Sequence, residues 1–354
     1  MSGDQFDLFG DPLPSAPAAA RAVSAGRASK QREVGPAAFD DALLDVASAL
    51  PDDVFLGTSS WSFSGWRGLV FDASYPETLL SRQGLGAYAA HPLFGSVGID
   101  RTFYAPISED EFRRYAKQAA TADDAFKFLV KAPMLFTGPR LRSEDGVWTD
   151  NDAFLDSSLA TTQFVLPATR GLAEHCGPLV FQFPPLGPRY TRAPAKFADR
   201  LAEFLLALPK LALPACYAVE VRDPELLCDE YTAALNAANA THCIAIHARM
   251  PQAREQAHYW RESSRILPLV IRWSLHSGFK YEEAKERYAP FDAIVDPDEN
   301  GLAQVGALIE EAHATSRASF AIVNNKAEGS APLTVRRIAT LLAKSGSEAS
   351  GNDG

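Results

Sequence analysis

Cysteine is scarce in this chain, 4 in 354 residues, and no C-x-x-C pair occurs. Cys176, Cys216, Cys228 and Cys243 stand far apart, a spacing that speaks against a structural zinc site and a disulfide framework. Three of them lie in or beside apolar segments and read as buried, reduced thiols of a cytoplasmic protein. Apolar runs of about 18 residues are also missing, so no membrane-spanning helix is expected. Positive charge is in deficit: 34 Lys and Arg stand against 44 Asp and Glu, a net −10. That excludes a uniformly basic coat for nucleic acid but leaves room for a local basic pocket. No basic segment followed by an apolar core opens the chain, which instead starts with Asp4, Asp7 and Asp11, so no secretory signal is expected.

What is there is apolar mass. At 47% hydrophobic and 22% charged residues, the chain can fill a large core. Residues 1–38 are a low-complexity mixture of Ala, Pro, Ser, Gly and Arg, expected to be a disordered tail. Phe39 to Leu50 places apolar residues at 39, 43, 46, 47 and 50, the stripe of an amphipathic helix that could cover a barrel bottom. Apolar runs with polar ends then follow one another: Val54 to Thr58, Ser96 to Asp100, Phe126 to Val130, Leu179 to Phe181, the stretch ending Val219-Glu220-Val221-Arg222, Cys243 to Ile246, Leu269 to Trp273 and Ala318 to Val323. Helix-patterned segments separate most of them. Strands alternating with helices demand a parallel sheet, and eight repeats predict a (β/α)₈ TIM barrel over residues 39–344 rather than an open doubly wound sheet. Residues 138 to 170 read as a long insertion after the third strand, a lid or substrate wall. The Gly- and Ser-rich end from 345 to 354 reads as a second disordered tail.

In such a barrel the working face is the carboxyl ends of the strands. There the sequence places Ser59, Trp61, Asp100, Tyr104, Lys131, Gln182, Glu220, Arg222, His247, Arg272, His276, Asn324, Asn325 and Lys326. Side chains alternate along a strand, so Glu220 and Arg222 share one face. Glu220 is the expected general base, with Asp100 as a second carboxylate for a hydrolytic pair. Lys131 is either an imine-forming amine or an anion-binding ammonium. Arg222 and Arg272 would clamp an anion, Gln182 and Asn324 would orient it, and Trp61 and Tyr104 would stack on a ring. His247 and His276 with Glu220 or Asp100 could hold a divalent metal, though no H-x-x-x-H spacing supports one. The turn Asn324 to Pro332, with Ser330 at a helix start, reads as an anion cradle. The plain alternative for all of these is a set of salt bridges plugging the barrel mouth.

Two resemblances add to this reading. Gln5-Phe6-Asp7-Leu8-Phe9 resembles the short peptide by which many bacterial repair and replication proteins hold the DNA sliding clamp, with Gln5, Leu8 and Phe9 as its anchors and Phe6 in place of the usual Leu. The same island could instead latch onto the protein's own body. Over residues 54 to 343, Gly57-Thr58-Ser59-Ser60-Trp61, Trp66-Arg67-Gly68, Asp100-Arg101-Thr102-Phe103-Tyr104, Phe126 to Pro133, Gly177 to Pro185, Val219 to Arg222 and Asn324-Asn325 together resemble the YecE-like family, domain of unknown function 72. The resemblance implies a TIM barrel and no particular reaction. Gly98, Asp100, Asp223 and Gly138 depart from its pattern, which leaves Lys131, Gln182, Glu220, Arg222 and Asn324 as the stronger site residues. The expected function is a hydrolase or lyase acting on a phosphorylated or nucleic-acid-derived ligand. The alternative is a non-catalytic nucleotide-binding adaptor recruited to the replication machinery.

Overall fold

The computed structural model describes residues 33–143, 145–263, 266–275 and 281–351. Eight parallel strands close into a barrel: β1 Val54–Thr58, β2 Ser96–Ile99, β3 Lys127–Lys131, β4 Cys176–Gln182, β5 Tyr217–Glu220, β6 Ala240–Ile246, β7 Leu269–Trp273 and β8 Ser319–Val323. Each strand pairs with the next in the chain, and β8 pairs with β1 from Val54↔Ser319 to Thr58↔Val323, which leaves no open edge. The TIM-barrel expectation holds, and the open doubly wound alternative falls with the closure.

Alternation along the strands builds two cores. Leu129, Val180, Ala218, Cys243, Val270, Phe320 and Ile322 fill the barrel interior. Their neighbours one residue away, among them Phe128, Val130, Leu179, Phe181, Val219, Ile244, Ile271 and Val323, face the helices in the larger outer core. Strand β4 keeps this phase by a bulge. Its pairing with β3 skips from Phe128↔Cys176 to Val130↔Leu179, where Pro178 can donate no ladder hydrogen bond. The shift turns Val180 and Gln182 inward.

The crossover helices follow the same logic. In Glu109–Ala120, Ser108 caps the start by accepting from the Glu111 amide at 3.2 Å, and Phe112, Tyr115, Ala116 and Ala119 form the buried stripe. The helix Leu166–Leu172 lies across it so closely that a Cβ on Gly171 would stand 2.5 Å from the Glu109 carbonyl oxygen and from Phe112 Cβ. A π-turn, Thr161–Val165, precedes that helix because Pro167 has no N–H for a regular helical turn.

Three boundaries differ from expectation. The segment before Phe39 is tied down where it is described: Ala37 donates to the Val70 carbonyl at 2.9 Å and Asp72 to that of Gly35 at 3.0 Å. The first helix is Asp41–Ser48, capped by Asp40, while Phe39 stands edge-on to His91 at 4.7 Å. The last helix runs Ala331–Gly351, past the expected start of a tail at 345. The expected insertion resolves into two parts. Arg140–Arg142 and Trp148–Asp150 form a small antiparallel hairpin beyond β3, anchored where Asn151 Nδ2 donates to the carbonyls of Leu135 and Gly138, both at 2.7 Å. From Ser157 onward it is an ordinary crossover.

Candidate active site at the carboxyl end of the barrel

One inward step beyond the apolar interior, the side chains change character. Lys131 follows Leu129, Gln182 follows Val180, Glu220 follows Ala218 and Arg272 follows Val270, each two residues on and hence on the same face. All are buried, at 8%, 2%, 0% and 4% exposure. Barrel closure therefore brings together groups as far apart in sequence as Asp100 and Arg272.

Arg272 is the hub. Its Nη1 donates to Glu220 Oε2 at 2.6 Å and to Gln182 Oε1 at 3.2 Å. Its Nη2 donates to both Asp100 oxygens, at 2.9 and 2.7 Å. Arg222 pairs with the other Glu220 oxygen, Oε1, and its Nη2 also donates to Ser274 Oγ at 3.3 Å. Cys243 Sγ lies 3.9 Å from Glu220 Oε2. Charged groups this deep are costly unless paired, and here both carboxylates are paired. The donors are not all used. Among the described residues, Arg222 Nε and Nη1, Arg272 Nε and Gln182 Nε2 are buried without a hydrogen-bond partner.

Electrostatics follow the geometry. Burial alone would raise the Glu220 pKa, but the Arg222 and Arg272 guanidiniums outweigh it and hold the carboxyl at about 2. Arg272 is likewise desolvated, yet Asp100 and Glu220 together push its pKa up. Arg222 shares its single carboxylate with a competing guanidinium, and burial leaves its pKa lowered. Burial also brings the Lys131 amine down to about 8, partly offset by Asp100. Its Nζ sits 3.6 Å from the centroid of the Phe103 ring, and its backbone carbonyl accepts from Thr102 Oγ1. His247 is half-buried at the rim, lowered to about 4 by burial and then by Arg222.

Several sequence assignments change on these contacts. Glu220 is no general base: it is fully buried, both oxygens are in ion pairs, and its basicity is low. Glu220 and Asp100 do not flank an open space as a hydrolytic pair would, because both are bound to the Arg272 guanidinium. Trp61 is 4% exposed, donates its indole N–H to the Leu80 carbonyl at 3.2 Å and stands edge-on to Tyr115, so its face belongs to the core. Tyr104 is half-buried and edge-on to Phe103 at 5.7 Å.

The turn after β8 is no open cradle. The amides of Lys326 and Ala331 donate to the side-chain oxygens of Asn324 and Asn325, and those of Ala327 and Gly329 to the backbone carbonyls of the same two residues. Asn325 and Lys326 are accordingly buried in a turn that satisfies these four amides itself, although Asn325 Nδ2 and Ser330 Oγ are buried in it without a hydrogen-bond partner among the described residues. It is sealed further by Glu328, whose carboxylate accepts from the Asp298 amide and from Thr334, both within 2.8 Å, and pairs with Arg337. Asn324 Nδ2 reaches Ser59 Oγ at 2.9 Å, closing the seam between β8 and β1. His276 and the peptide Gln5, Leu8 and Phe9 lie outside the described residues. Among the described residues no three His, Cys, Asp or Glu converge to hold a metal ion, and no helix is long and apolar enough to cross a membrane.

Phe103, Thr102, Ser274 and Cys243 were not among the expected site residues. Ser274 had a signal, standing two residues beyond Arg272. Phe103 had only its place in the Asp100-to-Tyr104 motif.

The fold has solved counterparts. A DUF72 family protein of Enterococcus faecalis superposes with a TM-score of 0.55 at 14% identity, over 82% of this chain and 95% of that one. A DUF72 family protein of Thermotoga maritima gives 0.53 at 20% identity, over 82% and 98%. These likenesses speak for the fold alone. No curated protein matches the sequence. The sequence profile described as "Protein of unknown function DUF72" matches residues 55–353, essentially the whole barrel, and the chain therefore belongs to the DUF72 family.

Proposed function

We propose that the barrel is an enzyme, a lyase or hydrolase, that takes a small anionic ligand of phosphorylated or nucleic-acid-derived type at the carboxyl ends of its strands. The observation that carries this reading is the surplus of donors. Both Asp100 oxygens and Glu220 Oε2 accept hydrogen bonds from Arg272, and Glu220 Oε1, without a hydrogen bond of good geometry, lies in an ion pair with Arg222. Against that one acceptor, four donors, Arg222 Nε and Nη1, Arg272 Nε and Gln182 Nε2, have no hydrogen-bond partner among the described residues. A buried donor left unpaired costs about 1–3 kcal/mol, so a ligand rich in acceptor oxygens is stabilised here by supplying the missing partners. Glu220 holds the two guanidiniums in place. Asp100, with 30% of its side chain exposed, and half-buried His247 and Asn324 mark the side from which a ligand enters. Lys131, held near pH 8, supplies the base or nucleophile.

Calorimetric titration with inorganic phosphate and pyrophosphate tests the binding. Affinity is expected to fall at least about ten-fold in Arg222→Gln, the loss of a charge-assisted hydrogen bond. Equal affinity in that variant ends the reading. Turnover screening on phosphoesters and sugar phosphates, with Lys131→Met as the control, separates an enzyme from a binding adaptor. The peptide at residues 5–9 supports delivery of either to the DNA sliding clamp, on its sequence alone.

A further inference from the structure

We infer that the anion taken by this site is a phosphodiester, a singly charged oxyanion seated on the unfilled donors of Arg222. The inference deepens the anion-binding reading and rests on it. Two carboxylates already meet two guanidiniums at the barrel mouth. Asp100 gives both oxygens to Arg272, while Glu220 is divided between Arg272 through Oε2 and Arg222 through Oε1. Lys131, over the Phe103 ring, brings at most one further positive charge. The set thus holds no net charge or a single positive one, enough for a monoanion. A dianion would keep at least one charge uncompensated, or would have to draw Arg272 away from a carboxylate and leave that group buried and unpaired.

The charge is also unevenly placed. Arg272 is bound by two carboxylates and Arg222 by a share of one, so the Arg222 end is positive and the Asp100 end negative. Arg222 is 5% exposed, and its Nε and Nη1 have no hydrogen-bond partner among the described residues. With Arg272 Nε and Gln182 Nε2 they make four donor atoms in want of acceptors. A phosphodiester brings four oxygens on one charge, and a carboxylate brings two. A phosphomonoester, with its second pKa about 6, carries about two charges at pH 7.5. The donors therefore favour phosphate over carboxylate, and the charge favours the diester over the monoester.

The test compares dimethyl phosphate, methyl phosphate and acetate, titrated into the full chain at pH 7.5 with affinities read by ligand-observed NMR. Dimethyl phosphate is expected to bind at least about ten-fold tighter than either of the others. Asp100→Asn takes one negative charge from the set and should shift the diester-to-monoester ratio about ten-fold towards the monoester. A merely structural loss would weaken both ligands alike, and a ratio that does not move overturns the charge balance. Methyl phosphate binding as tightly as the diester to the native chain overturns the monoanion and leaves the anion site standing. Acetate binding as tightly overturns the phosphodiester. If inorganic phosphate binds and none of the three does, the diester alone falls. If inorganic phosphate fails as well, the anion site falls with it. The three-ligand comparison uses the unaltered protein, so it does not depend on any variant folding.

Discussion

Arg272 Nη1 donates to Glu220 Oε2 at 2.6 Å although their strands, β7 and β5, are not neighbours and β6 runs between them. The contact spans the barrel mouth and leaves Glu220 as the group that neutralises two guanidiniums at once. Glu220→Gln should therefore leave Arg222 without its carboxylate and Arg272 with Asp100 alone, and cost about 3–5 kcal/mol at pH 7. Urea denaturation measures it. A loss below about 1 kcal/mol would mean that the arginines find other partners.

The same carboxylate sets an acid limit. Its folded-state pKa of about 2 lies below the ordinary 4.5, so its stabilisation is fully present above pH 4.5 and disappears as pH falls towards 2. The span corresponds to about 3 kcal/mol. Stability profiles of the native chain and Glu220→Gln should converge over that window. Parallel profiles between pH 4.5 and 2 would show that Glu220 is not the titrating group.

Lys131 acts with the opposite sign and at the other end of the pH scale. Its pKa falls from 10.5 to about 8 on folding, so the burial penalty applies in full below pH 8 and is relieved as pH rises to 10.5. The native chain should gain about 3 kcal/mol relative to Lys131→Met across that range. A constant difference between the two would place the ammonium in a solvated site.

How much of this was legible beforehand differs by level. β1 and β7 occupy the runs read from the sequence, Val54–Thr58 and Leu269–Trp273, because apolar alternation with a polar tip is a local signal. That Glu220 and Arg222 share a face was legible for the same reason. That Arg272 would lie between Asp100 and Glu220 was not, since the contact depends on barrel closure and stagger, which no single segment encodes. The closed turn after β8 was misread as a cradle because a Gly-containing helix start looks alike whether its amides point at a ligand or at Asn324 and Asn325.

Helix packing offers a check independent of the site. Alanine normally stabilises a helix relative to glycine by about 1 kcal/mol. At Gly171 it should instead destabilise by about 1–3 kcal/mol, because its Cβ meets the Glu109 carbonyl and Phe112 at 2.5 Å. A raised melting temperature in Gly171→Ala would show that the two helices can part without cost.

Recruitment is tested on the amino-terminal peptide. Residues 1–12 immobilised on beads should retain purified bacterial sliding clamp, and Leu8→Ala with Phe9→Ala should release it. Equal retention by the doubly substituted peptide would leave no anchoring role for those side chains.

The small hairpin beyond β3 has an optical consequence. Of the five tryptophans, Trp61, Trp66, Trp260 and Trp273 are sealed at 4% exposure or less, and Trp148 in the hairpin is half-buried. Collisional quenching of the native emission by acrylamide would thus report chiefly on one indole, carried on the segment that leaves the strand of Lys131. The folded chain holds its own fluorescent gauge of events at the barrel mouth, with no dye attached.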